Sequence, residues 1–167
     1  VLVGQSSGVL ILHNHIHDFH YSGLSIGWRW GYAEGKAYGN VIEYNHVHDL
    51  GHGLLSDMGG IYTLGPQPGT RIRYNVFHDV TSRTYGGWGI YTDEGSSDIL
   101  IENNIAYNTK CGGFHQHYGK DNIVRNNIFA LRTENQLARS RLEPHCSFLF
   151  ERNLVLNREG LFWKGTW

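Results

Sequence analysis

The chain has 167 residues, 14 of them basic and 15 acidic, and it contains 22 glycines against 3 prolines. That length supports one domain with a buried core, and a formal charge of −1 offers no basic field for nucleic acid or for steering a polyanion. No apolar run approaches the roughly 18 residues of a membrane span, and the glycine content favours many turns between short strands over long helices.

The first predicted element, "LILHNHIHDF" from Leu10, returns five times without gaps: "VIEYNHVHDL" from Val41, "RIRYNVFHDV" from Arg71, "LIENNIAYNT" from Leu100, "IVRNNIFALR" from Ile123 and "LFERNLVLNR" from Leu149. The second column is apolar (Ile11, Ile42, Ile72, Ile101, Val124, Phe150), and so is the seventh (Ile16, Val47, Phe77, Ala106, Phe129, Val155). The fifth is always asparagine: Asn14, Asn45, Asn75, Asn104, Asn127 and Asn153. Apolar columns flanking an invariant Asn predict a strand, a sharp turn and a second strand. Asn tolerates the left-handed backbone of such a turn, and its amide can bond to its counterpart one repeat away. In the third column Leu12 is followed by Glu43, Arg73, Glu102, Arg125 and Glu151. Stacking at about 4.8 Å would set each charge between opposite ones.

A third short strand opens with glycine in "GLSI" from Gly23, "GIYT" from Gly60, "GIYT" from Gly89, "GFHQ" from Gly113 and "GLFW" from Gly160. Three short strands per repeat predict an all-β parallel β-helix, right-handed because parallel crossovers overwhelmingly are. The expected unit is one domain over residues 1–167 with about six coils. Stretch 130–147 is read as a loop insertion, with a short helix over "ENQLARSRL". No secretory leader is visible, and both ends read as cut from a longer solenoid. Cys111 and Cys146 are expected to be unpaired.

Repetition separates scaffold from site. His17–Asp18, His48–Asp49 and His78–Asp79 recur in the same columns and read as stacked structural groups. Asp57, Asp93, Glu94, His115 and His117 do not recur. With Ile61, Ile90 and Phe114 facing inward, Tyr62, Tyr91 and His115 form an outward row, with Leu64, Asp93 and His117 as the next. Asp57 lies three residues before its strand, so it approaches the same face as Asp93. Two carboxylates bordered by aromatic rings suit glycoside hydrolysis, with one acid protonating the leaving oxygen and the other activating water or attacking carbon. Glu94 is read as a third catalytic residue, expected to crowd Asp93 and raise its pKa. Tyr62, Trp88 and Tyr91 are expected to stack on sugar rings and donate hydrogen bonds.

The segments "SDMGGIYTLGPQPGTRIRYNVFHDV", "GGWGIYTDEGSSDILIENNI" and "GGFHQHYGKDNIVRNNIF" resemble bacterial right-handed β-helix carbohydrate enzymes, most closely glycoside hydrolase family 141, over roughly Ile42 to Phe150. The resemblance implies fucosidase or xylanase activity in plant cell-wall breakdown, and a secreted or periplasmic location. It maps an acidic pair onto Asp57 and Asp93. The partner expected is a polysaccharide or oligosaccharide bound by a monomer, with no cofactor, nucleic acid or membrane.

Two other classes stay open at this level. A polysaccharide lyase or epimerase would use the groups of "FHQHYGK", where His115, His117, Tyr118 and Lys120 supply base, acid and substrate clamp, often with calcium. His115 and His117, two apart on a strand, also offer a pair of metal ligands, though without a third. A non-catalytic β-helix would hold sugars unchanged on Tyr62, Trp88 and Tyr91.

Overall fold

The computed structural model describes residues 1–131, 133–158 and 160–166 and, among these, contains strands and no helix. Each coil contributes one strand to each of three parallel sheets. The first sheet stacks Leu10–Leu12, Val41–Glu43, Arg71–Arg73, Leu100–Glu102, Asn122–Arg125 and Phe148–Glu151. The second stacks His15–Phe19, His46–Leu50, Val76–Val80, Ile105–Thr109, Ile128–Ala130 and Leu154–Leu156. The third has seven strands: Leu2–Val3, Leu24–Ile26, Gly59–Thr63, Trp88–Thr92, Gly112–Gln116, Asn135–Arg139 and Leu161–Lys164. Ser96–Ser97 and Gly119–Lys120 form a further two-stranded parallel pair. The chain is therefore a parallel β-helix with three strands per coil.

The repeat columns become rows of the solenoid. Ile11, Ile42, Ile72, Ile101, Val124 and Phe150 are partners in continuous register. All but the half-buried Phe150 lie in the core, together with Ile16, Val47, Phe77, Ala106 and Phe129. The asparagine amides link from Nδ2 to Oδ1 in one unbroken row, Asn14 to Asn45 at 2.9 Å and the next four links at 3.0 Å. Each amide oxygen after the first also accepts the backbone N–H of the preceding asparagine, at 2.9–3.0 Å.

The left-handed residue of the turn is not the asparagine but the one before it. His13, Tyr44, Tyr74, Asn103, Asn126 and Arg152 have φ of 53–58°. The reversal turns the amides of Asn45, Asn75, Asn104 and Asn127 into the interior, where their hydrogen bonds are made, and leaves the preceding side chains outside. There Tyr44 stacks on both His13 and Tyr74, with centroids 5.0 Å apart. The alternating charges pair as the stacking requires. Arg73 Nε donates to Glu43, its Nη1 lies 3.7 Å from Glu102, and Arg125 Nε reaches Glu102 Oε2 at 2.8 Å. Glu151, in register with Arg125, also meets Arg152 at 2.8 Å.

The third sheet needs glycine where the core presses on it. A Cβ on Gly60 would come within 2.7 Å of both the Gly89 carbonyl oxygen and a Phe77 ring carbon. Stretch 130–147, expected as an insertion carrying a helix over 134–142, instead supplies a coil strand. Asn135–Arg139 pairs with Gly112–Gln116 on one side and Leu161–Lys164 on the other. This strand lacks the leading glycine, and Leu137 takes the core position of Ile61, Ile90 and Phe114. Cys111 and Cys146 are both free thiols, the first buried and the second exposed.

Candidate active site

Two coils of the third sheet bring Asp57 and Asp93 together. Asp93 immediately follows the strand Trp88–Thr92, and its amide donates to the Thr63 carbonyl one coil away. Asp57 precedes Gly59–Thr63 in a left-handed conformation, φ 58°, and donates its amide to the Tyr85 carbonyl at 3.0 Å. Gly86 permits this approach, since a Cβ there would sit 2.8 Å from the Asp57 nitrogen. The Tyr91 hydroxyl donates to Asp57 Oδ1 at 3.0 Å. Tyr62 donates a short hydrogen bond to Asp93 Oδ2. Both acids line one cavity of about 500 Å³, a size suited to a small ligand.

Asp93 is 4% exposed. Burial raises its pKa above the ordinary value and outweighs the Tyr62 and Tyr91 hydroxyls and the Glu94 backbone amide, which favour the ionised form. The charge of Asp57 adds to the rise. The same burial, reinforced by the two acids, holds the Tyr62 and Tyr91 phenols protonated. Tyr21 donates to the Asp57 carbonyl at 2.7 Å and is pushed up to about 12 by burial.

The outward row runs Tyr62, Tyr91, His115, Ala138, Lys164 in register. Tyr62 stacks on Tyr91 at 4.6 Å, and Tyr91 on His115 at 5.1 Å. Small Ala138 ends the ring stack and lines the cavity. Tyr62 and Tyr91, expected as open platforms for sugar rings, are nearly buried instead, under Trp28, Tyr21 and Trp88. What they present is their hydroxyls, to the two acids. Trp88 packs 4.4 Å from Tyr91 and 4.2 Å from His115 and contributes to the cavity wall.

The remaining predicted residues divide. His115 and His117 line the cavity, and the Ser140 hydroxyl bridges them, 2.9 Å from His115 Nε2 and 2.8 Å from His117 Nδ1. Burial lowers the His115 pKa to about 3, so the ring is neutral, and its Nδ1 has no hydrogen-bond partner among the described residues. Glu94 also lines the cavity, but its carboxylate accepts from the Tyr118 hydroxyl at 3.0 Å. The expectation that Glu94 raises the pKa of Asp93 by crowding it is therefore corrected. The rise comes from burial and from Asp57, while Glu94 contributes only an amide that acts the opposite way. Tyr118 lies behind Glu94 with Arg141 4.0 Å from its ring centre, and Lys120 is half-exposed beside Asp121. Neither lines the cavity, so the four groups wanted for a lyase do not converge.

Sequence reasoning missed Tyr85, Glu134, Arg139, Ser140 and Lys164, all on the cavity wall. Three of them fall within the stretch expected as an insertion, and the register that places them follows only once Asn135–Arg139 is a strand. Glu134 accepts from the Cys111 thiol at 3.2 Å, and burial pushes that thiol up to about 11.

A family model described as right handed beta helix region matches residues 1–129. The chain belongs to the right-handed β-helix family. The expected handedness of the coil is thereby met. A solved structure named glycoside hydrolase superposes on the β-helix with a TM-score of 0.59 at 23% identity, covering 90% of this chain and 21% of that one. At that identity the likeness concerns the fold, and the chain spans about a fifth of the neighbour's length. Comparison with curated proteins returns no match.

Proposed function

We propose that this β-helix is a glycoside hydrolase in which Asp93 is the general acid and Asp57 the second carboxylate. The observation that carries this reading is two acids on one cavity wall, each accepting from a tyrosine hydroxyl of one stacked pair, with the more buried acid held toward its protonated form. In the reaction, Asp93 donates its proton to the glycosidic oxygen as the bond from that oxygen to the anomeric carbon breaks. Asp57 either takes a proton from the water that attacks the anomeric carbon, or attacks that carbon itself to form a glycosyl ester, which water deprotonated by the now ionised Asp93 then hydrolyses, freeing the Asp57 carboxylate. Tyr62 and Tyr91 orient the carboxylates and stabilise the charge Asp93 acquires on donation. Plant cell-wall glycans are the substrate class we infer, from the resemblance of the Asp57 and Asp93 coils to family 141 enzymes. The fold likeness to a glycoside hydrolase is compatible with that reading.

The test is incubation with a panel of plant glycans, with products weighed by mass spectrometry. Sugars that have gained water support the proposal. Unsaturated uronates indicate elimination, and an unchanged panel with measurable binding indicates a sugar-holding module; either result overturns it.

A further inference from the structure

The outer face of the second sheet carries a second constellation that shares no residue with the acid-lined cavity. His15 and His17 stand beside His46 and His48 in strict register on neighbouring strands, and His78 follows on the next coil. The inward residues between them, Ile16 and Val47, are buried, so the imidazoles project outward. His15 and His46 stack at 5.1 Å, and His17 and His48 at 5.2 Å.

Stacking alone would explain a polar ladder, but the ring nitrogens do more than stack. His48 Nδ1 is 2.6 Å from Asp49 Oδ2, and His17 and His78 meet Asp18 and Asp79 in the same way at 2.5 Å. A carboxylate at Nδ1 holds the proton there and leaves the Nε2 lone pair free, the arrangement that supports histidine ligands behind metal ions. Those free lone pairs do not face solvent alone. His48 Nε2 lies 2.6 Å from His15 Nε2, and His78 Nε2 lies 2.7 Å from His46 Nε2. One ring nitrogen from each of His15, His46 and His48 falls within 4.8 Å of the others.

We propose that His15, His46 and His48 form a binding site for a divalent transition metal such as zinc. Three imidazoles suit zinc, copper or nickel, with water in the fourth position, and offer none of the oxygen ligands that calcium and magnesium require. Nitrogens around tetrahedral zinc stand about 3.4 Å apart, from bonds of about 2.1 Å. His15 and His46, both exposed, have the freedom to rotate to that spacing, while Asp49 fixes His48. His15 and His46, whose Nε2 atoms donate to His48 and His78, need only to carry their protons on Nδ1 for Nε2 to coordinate. The ion then ties the strands His15–Phe19 and His46–Leu50 of successive coils and stabilises the native chain by mass action.

Calorimetric titration of the full chain with Zn²⁺ alone, beside melting curves in Zn²⁺ and in Mg²⁺, tests this. The expected result is one ion bound per chain and a melting temperature raised by Zn²⁺ but not by Mg²⁺. His15→Ala and His46→Ala should each weaken binding at least tenfold, and circular dichroism should report an intact fold because both rings are exposed. Should either variant fail to fold, His15→Gln reads the same loss. Asp49→Asn retains a residue that tolerates the φ of 50° at this position and should weaken binding about tenfold or more through the lost carboxylate. Asp93→Asn should leave Zn²⁺ affinity unchanged. The proposal is overturned if Zn²⁺ fails to bind at millimolar concentration, if the histidine variants bind as wild type does, or if Asp93→Asn is the change that abolishes binding.

Discussion

The second and third sheets are built from the same coils, yet they present opposite kinds of outer face. On the second sheet a His–Asp pair repeats in three consecutive coils, each aspartate in the left-handed conformation, φ 50–60°, beside its own histidine. On the third sheet the row beyond the rings does not repeat: it reads Leu64, Asp93, His117, Ser140. A repeated polar group meets its own copy 4.8 Å away and is satisfied by a neighbouring coil. An unrepeated one must be satisfied by something foreign to the repeat. Asp93 finds Tyr62, and His115 Nδ1 finds no partner among the described residues. The acids of the larger cavity are thus departures from the repeat.

The largest expected effect tests the unrepeated face. Asp93→Asn and Asp57→Asn should each lower turnover about 10²–10⁴-fold, the usual worth of a positioned acid or base, with unchanged circular dichroism. Asparagine suits the left-handed position of Asp57 and still accepts from the tyrosines. Stability should move the other way for Asp93. Its folded pKa lies above the ordinary 3.8, so the native chain binds more protons than the unfolded one over that interval. This group's stabilising contribution is present below 3.8 and is lost as pH rises through the folded value. Asp93→Asn should therefore melt higher than wild type at neutral pH, and the advantage should vanish in acid. A variant that melts lower at neutral pH would remove the burial argument for the general acid.

The repeated framework should respond oppositely, in stability rather than turnover. Asn75 accepts from the Asn45 amide nitrogen and from its Nδ2, and donates to Ile42 and Asn104. Each buried group stranded by truncation costs about 1–3 kcal/mol, so Asn75→Ala should destabilise by about 3 kcal/mol in chemical denaturation. The kcat of the molecules that remain folded should be nearly unchanged. A large loss of kcat with normal stability would mean that the ladder serves the site directly.

What was legible in the sequence follows the same division. The asparagine row, the two apolar columns and the alternating charges could be read because each is a periodic constraint imposed by stacking. The coil strand Asn135–Arg139 was not legible, since its signal had been the leading glycine and this coil has none. With it went Arg139 and Ser140. Asp57 and Asp93 stood out by failing to repeat, but the sequence could not show that Tyr62 and Tyr91 turn hydroxyls rather than ring faces to them. That depends on Trp28 and Tyr21, which close over the row from loops with no periodic signature.

The finest distinction lies within the site, between the groups that touch Asp93 and the one that only adjoins it in sequence. Tyr62→Phe removes a hydroxyl that favours the ionised carboxylate, so burial acts with less opposition and the Asp93 pKa rises further. If Asp93 must be protonated to act, the alkaline limb of the kcat–pH profile should move upward, with the fold and the aromatic stack preserved. Glu94→Gln should behave differently. The Glu94 carboxylate bonds to Tyr118, and its contact with Asp93 is through the backbone amide, which glutamine keeps. Its cost should be less than tenfold, and it should leave the limb close to its wild-type position. If the limb moved with Glu94→Gln and stayed fixed with Tyr62→Phe, the proton would be controlled by the adjacent carboxylate, and Tyr62 would be no more than packing.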